Sequence, residues 1–109
     1  IQFNIAKEIQ KSGIQEEDLN ELIAFCRKVD LNVIGLMCIP PLKESPDFYF
    51  KKLKEVAKKN NLYELSMGMS GDYLSAVQNG STFVRIGSAI FGERTKLYLA
   101  FNIYWRDNL

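Results

Sequence analysis

The 109-residue sequence contains no histidine at all. That absence removes Ser-His-Asp and Cys-His catalysis and every His-ligated metal site. Cysteine is scarce. Cys26 and Cys38 stand twelve positions apart, one in a predicted helix and one at a predicted strand end, without CxxC spacing. A structural zinc site or a thioredoxin-like redox pair is therefore unsupported, and two buried, reduced thiols in a cytoplasmic protein are expected. A charge of one sign is also missing. Fourteen Lys and Arg against thirteen Asp and Glu leave a net charge of +1, far from the basic excess of a polyanion-binding protein, so no nucleic-acid partner is expected. Long apolar runs are missing too. The longest, Leu97 to Trp105, is interrupted by Asn102 and is far shorter than the roughly 20 residues of a spanning helix. No basic-then-apolar leader opens the sequence, and no membrane association is expected. The length is too short for a complete α/β barrel of about 250 residues. A 47% apolar share nevertheless suffices for a core and argues against intrinsic disorder.

What is present is an alternation of strand and helix patterns. Ile1 to Ile5 alternates apolar and polar residues, with Gln2 and Asn4 on one face. The chain thus opens on Ile1, not Met, in what already reads as a strand. Lys11-Ser12-Gly13 reads as a loop. Glu16-Glu17-Asp18 places acids at a helix start, ahead of an apolar stripe of Leu19, Leu22, Ile23, Phe25 and Cys26. The continuous apolar run Val33 to Ile39, closed by Pro40-Pro41, predicts a strand buried on both faces, as in parallel sheets. Ser45-Pro46-Asp47 opens a second helix, with Phe50, Leu53, Val56 and Ala57 facing inward and a lysine-rich outer face. At this net charge the lysines read as a solvated surface. Tyr63 to Met67 is a short strand, Gly68 to Asp72 a turn, Tyr73 to Gln78 a helix stopped by Asn79-Gly80. Thr82 to Ile86 is a fourth strand, and Gly87 to Gly92 turns away from it. The order β-α-β-α-β-α-β with short connections predicts parallel β/α units. Residues 1–94 form this unit; residues 95–109 are an aromatic-rich tail that belongs to no further β/α repeat.

In parallel α/β folds a ligand sits at the C-terminal ends of the strands. Two segments there have the chemistry of a phosphate cradle. In Ser66-Met67-Gly68-Met69-Ser70-Gly71-Asp72 the glycines allow close backbone approach, and Ser70 lies where a helix begins. Ser70 or Asp72 can equally be a plain helix cap. In Gly80 to Ala89, Phe83, Arg85 and Gly87 share one strand face. An arginine on so apolar a strand is costly unless it is paired or meets a ligand. A salt bridge to Glu64 is the structural alternative. Gly87 and Ser88 follow directly, with free N–H groups and a hydroxyl. Met37, Met67 and Met69 read as core or pocket lining, Gln2 and Asn4 as inward polar residues. Lys7, Glu8 and Lys11 lie just past the first strand.

Taken together, Gly35-Leu36-Met37-Cys38-Ile39-Pro40-Pro41, Leu65-Ser66-Met67-Gly68-Met69-Ser70-Gly71-Asp72 and Gly80 to Arg94 resemble the pyridoxal phosphate homeostasis protein family. Asn4-Ile5, Glu8 and Lys11-Ser12-Gly13 resemble its fifth-strand segment. The resemblance implies a barrel like the alanine racemase N-terminal domain, of (β/α)8 type, binding pyridoxal 5′-phosphate at its C-terminal face. It implies that Ser70, Gly87 and Ser88 hold the phosphate, that Arg85 faces the pyridine nitrogen, and that Met67 contributes to the cofactor site. A permanent cation at that nitrogen weakens the electron sink, which agrees with the family's role as a carrier and buffer and not an enzyme. The family's Schiff-base lysine ends its first strand, and no lysine here lies in a matching motif. The chain is thus expected to be the C-terminal half of such a barrel. Two other classes remain: part of a racemase-like or other phosphate-handling enzyme, and a half-barrel that self-associates through its open sheet edges.

Overall fold

The computed structural model describes residues 1–92. Four helices and three strands follow in the order α1 (Glu16–Lys28), β1 (Gly35–Met37), α2 (Asp47–Lys59), β2 (Glu64–Met69), α3 (Tyr73–Gln78), β3 (Phe83–Arg85) and α4 (Ser88–Phe91). The strands form one parallel sheet in the order β1-β2-β3, with Leu36 opposite Leu65 and Ser66 opposite Phe83. Each strand therefore lies beside its predecessor, the alternation that the sequence pattern predicts. The tail at 95–109 lies outside the described residues. None of the described helices is long and apolar enough to cross a membrane.

The first segment is slighter than its alternation predicts. Residues 1–5 form no regular strand; Gln2 bridges Met37 and Phe3 bridges Ile14, both in parallel. Phe3 N–H donates to the Met37 carbonyl at 2.7 Å and Met37 N–H to the Ile1 carbonyl at 2.8 Å, which continues the sheet beyond β1. On the other side Ile14 takes up the Gln2 carbonyl and the Asn4 N–H. Two such short ladders meet the backbone's hydrogen-bonding needs without extending a strand.

Helix ends follow a shared rule. After α1, α2 and α3 a single residue adopts positive φ, Asp30 at 59°, Asn61 at 57° and Gly80 at 95°. The next residue then bonds back five positions: Leu31 to Cys26, Leu62 to Ala57, Ser81 to Ala76. These are Schellman-type stops, which tolerate Asn and Asp as well as Gly. The acids Glu16, Glu17 and Asp18 at the start of α1 and Arg27 and Lys28 at its end match the helix dipole.

The core lies between the helices and one face of the sheet. Leu19 and Ile23 of α1, Phe50, Leu53, Val56 and Ala57 of α2, Leu36, Leu65 and Met67 of the strands, and Cys38 just after β1 join Phe3 and Ile5 there. Two expectations are corrected. Phe25 is not part of the α1 stripe: buried positions recur at 19, 23 and 26, and Phe25 falls off that line, 58% exposed. The run Val33 to Ile39 is not buried on both faces. Only Gly35–Met37 is a strand, with Leu36 buried between half-buried neighbours, because helices cover a single side. On the outer face of α2, Lys51, Lys54, Lys58 and Lys59 are exposed, as expected of a solvated surface.

Candidate functional site

At the C-terminal ends of the three strands lies a cleft of about 460 Å³. One wall is apolar and comes from the loop after β1: Ile39, Pro40, Pro41 and Leu42. The other comes from the ends of β2 and β3: Met69, Ser70, Asp72, Arg85, Gly87 and Ser88. The adjacent prolines keep the first wall extended, since each fixes its own φ and holds its predecessor out of the helical region.

A bulge in β2 shapes the second wall. Ser66 pairs with Phe83 and Met69 with Arg85, so three steps along β2 match two along β3. The extra residue sits at Gly68, whose φ is 104°. A Cβ there would lie 2.7 Å from the Ala76 Cβ of α3, closer than packed carbons come. Gly68 therefore serves both the positive φ and the close approach of α3. In a regular strand residues 67 and 69 point the same way. Here Met67 enters the core, fully buried, while Met69 lines the cleft at 44% exposure. Met67, expected in the cofactor site, instead packs against the helices, and Met69 holds the cleft position. The Gly in the motif was the available signal.

Ser70, Arg85, Gly87 and Ser88 come together as expected. The Ser70 Oγ accepts hydrogen bonds from the Gly87 N–H at 3.2 Å and the Ala89 N–H at 3.0 Å. Neither Ser70 nor Asp72 caps α3 with its side chain. Asp72 Oδ1 accepts from the Met69 N–H at 2.7 Å, fastening the turn between β2 and α3. Gly87 to Gly92, read from sequence as a turn, closes into the single-turn helix α4, with Phe91 N–H bonded to the Gly87 carbonyl at 2.9 Å. The result is a pair of backbone donors converging on one oxygen, an arrangement suited to an anion.

Arg85 crosses the tip of β2. Its Nη2 donates to the Cys38 carbonyl at 3.0 Å, while its buried Nε has no hydrogen-bond partner. The structural alternative, an ion pair with Glu64, is ruled out by register. Glu64 lies beside Gly35 at the start of β2, and Arg85 lies beside Met69 at its end, about 17 Å apart at the strand rise. Lys11 and Glu8, at 3.2 Å, form the one ion pair among the described residues. Arg85, half-buried, thus brings a permanent charge to the cleft wall, while its buried Nε is left without a partner, a state that costs free energy. Cys38, beneath it, is buried, and burial pushes its thiol up to about 12 against the opposing pull of the Arg85 guanidinium. It is no nucleophile at neutral pH.

The remaining candidates lie elsewhere. Asn4 is buried and holds the loop beyond it: its Nδ2 donates to the Glu8 carbonyl at 2.7 Å and its Oδ1 accepts from the Glu8 N–H at 3.1 Å. Gln2 and Lys11 border a separate hollow, and Met37 borders a third beside Phe83. Lys7, Glu8 and Lys11 do not line the cleft. Sequence reasoning missed the apolar wall and Glu44, whose loop has no periodicity to reveal it. No group of three or more acidic or thiol ligands placed to hold a metal occurs among the described residues.

Known proteins are similar to this chain in sequence and in fold. Residues 1–95 match the family model of the alanine racemase N-terminal domain. The pyridoxal phosphate homeostasis protein of Aquifex aeolicus is 40% identical, over 86% of this chain and 46% of that protein. Its namesake from Escherichia coli K12 is also 40% identical, over 86% of this chain and 44% of its own length. PipY of Synechococcus elongatus, solved without PLP, superposes with a TM-score of 0.74 at 29% identity, covering 84% of this chain and 48% of that one. PipY with PLP bound gives 0.66 at 30% identity. The chain spans less than half the length of the relatives it matches.

Proposed function

Because the chain belongs to the family of the alanine racemase N-terminal domain, we propose that it is part of a protein that binds pyridoxal 5′-phosphate and stores it without turning it over. The observation that carries this reading is the convergence, on one cleft, of Ser70, Gly87, Ser88 and Arg85, with the Ser70 hydroxyl gathering the Gly87 and Ala89 N–H groups. The names of its relatives support it.

The residues present fit such a ligand. Ser70, Gly87 and Ser88 would hold the phosphate. A Cβ at Gly87 would meet nothing within 4 Å, so the turn leaves room on that side. Arg85 would face the pyridine nitrogen and, being always protonated, hold it unprotonated. The bound cofactor supplies an electron sink, which depends on the charge of that nitrogen. Arg85 accordingly favours retention over catalysis. The apolar wall of Ile39, Pro40, Pro41 and Leu42 would cover the ring and exclude water. No lysine lines the cleft among the described residues, so this segment would hold the cofactor noncovalently. We read the segment as the C-terminal half of a (β/α)8 barrel. The sequential parallel order, one uncovered sheet face and the resemblance of its strand-end motifs support that reading. The two free thiols fit a cytoplasmic protein.

Binding is tested by titrating the 109-residue chain and its variants with the cofactor and following retention through dialysis. Arg85→Ala is expected to weaken binding about tenfold or more, and Ser70→Ala about threefold to tenfold. Borohydride treatment should leave no stoichiometric adduct at a single lysine. Unchanged retention in both variants overturns the site assignment. Turnover of amino-acid substrates would favour the enzyme reading instead.

A further inference from the structure

We propose that Glu44 makes the cleft select the aminated form of its phosphorylated ligand over the alcohol form, an inference that rests on the binding reading above. Three charged side chains line the cleft: Arg85, Asp72 and Glu44. The first two are engaged by backbone, Arg85 through the Cys38 carbonyl and Asp72 through the Met69 N–H. Glu44 differs. It sits on the loop between β1 and α2, across β2 from Gly87 and Ser88, which follow β3, with Ser70 at the end of β2 between them.

Its carboxylate is held in place. The Tyr49 hydroxyl donates to Glu44 Oε2 at 2.8 Å. Tyr49 itself is half-buried and packed against the core cluster, so the contact is anchored to α2. The same hydrogen bond, with the carboxylate's charge, pushes the Tyr49 hydroxyl above its usual range, keeping it a donor at neutral pH. Oε1 is left for another donor, and Glu44 has no cationic partner among the described residues.

The cleft is therefore bipolar, with backbone donors on one wall and an oriented carboxylate on the other. The same cleft joins the Ser70 and Gly87 position to the Glu44 loop, so a ligand with its phosphate at the first would bring its ring substituents toward the second. An aminomethyl group there is a cation and forms a charge-assisted hydrogen bond; a hydroxymethyl group of the same size does not. Glu44 is exposed, which limits the preference to that of a solvated ion pair.

Pyridoxamine 5′-phosphate and pyridoxine 5′-phosphate are the suitable probes, since they differ at that one group and neither reacts with surface lysines. Calorimetric titration of the 109-residue chain should show the amine bound about threefold to fivefold more tightly. The preference should disappear in Glu44→Gln, which keeps an acceptor for Tyr49, and shrink in Tyr49→Phe. It should also shrink with added salt. Equal binding of both probes by the unsubstituted chain, or a preference unchanged in Glu44→Gln, overturns the role of Glu44 and leaves the binding reading intact. If neither probe nor inorganic phosphate binds, both fail together.

Discussion

Met67 and Met69 stand two residues apart on one strand and live in different worlds. Met67 is fully buried against the helices; Met69 is 44% exposed in the cleft. The helix-side layer is apolar and closely packed, with Phe50, Leu53 and Cys38 as fully buried as Met67. The strand-end layer is polar: the Arg85 Nε has no partner, the Gly87 and Ala89 N–H groups share the Ser70 oxygen, and the Glu44 carboxylate holds one bond from Tyr49. One layer is closed and apolar; the other is open and polar. A single glycine bulge divides them.

The comparison is broken most directly at the methionines. Met67→Ala should destabilise the chain by about 3 kcal/mol through cavity formation, whereas Met69→Ala should change stability by less than about 1 kcal/mol and alter ligand affinity instead. Urea unfolding of the two variants measures the contrast; equal losses would show that the bulge does not separate the layers. Gly68→Ala acts on the boundary itself. The positive φ and the contact with Ala76 should cost about 2 kcal/mol, with ligand binding lost as Ser70 and Met69 turn away. Tight binding retained at full stability would refute the role given to the bulge.

The smallest effect concerns pH. Asp47, at the start of α2, accepts hydrogen bonds from the Ser75 hydroxyl and, at 2.9 Å, from the Asn79 amide of the α3 end. These bonds, the serine's first, hold its carboxyl below the usual 3.8. A lowered folded-state pKa stabilises above the unfolded value and is lost as pH falls through the folded one. Stability of the unsubstituted chain should therefore drop below about pH 4 more than that of Asp47→Asn, read by thermal unfolding across pH 2 to 6. Parallel pH profiles for the two proteins would exclude this tie between α2 and α3.

The fold was largely legible because its signals are local. Periodicity marks α2 through Phe50, Leu53, Val56 and Ala57, and the acids at 16–18 mark the start of α1. The left-handed stops at Asp30 and Asn61 were less visible, since those residue types serve turns and caps of many kinds. In the site, Ser70, Arg85, Gly87 and Ser88 are named by their motifs. The residue pattern leaves Met67 and Met69 as core or pocket lining alike, because alternation along a strand carries no sign of the bulge that parts them, and Glu44 lies on a loop with no period at all.

By itself the sequence determined the three longer helices α1 to α3, the strands β1 to β3 and their order, most of the apolar positions they bury, and the motifs that bring Ser70, Arg85, Gly87 and Ser88 to the strand ends. Those depend on nearest neighbours and side-chain type. Only the tertiary structure decided that Arg85 spans to Cys38 and not to Glu64, that Met69 and not Met67 faces the cleft, and that Glu44 joins the opposite wall. Each of those outcomes depends on register between strands, and register is settled by packing across the whole sheet.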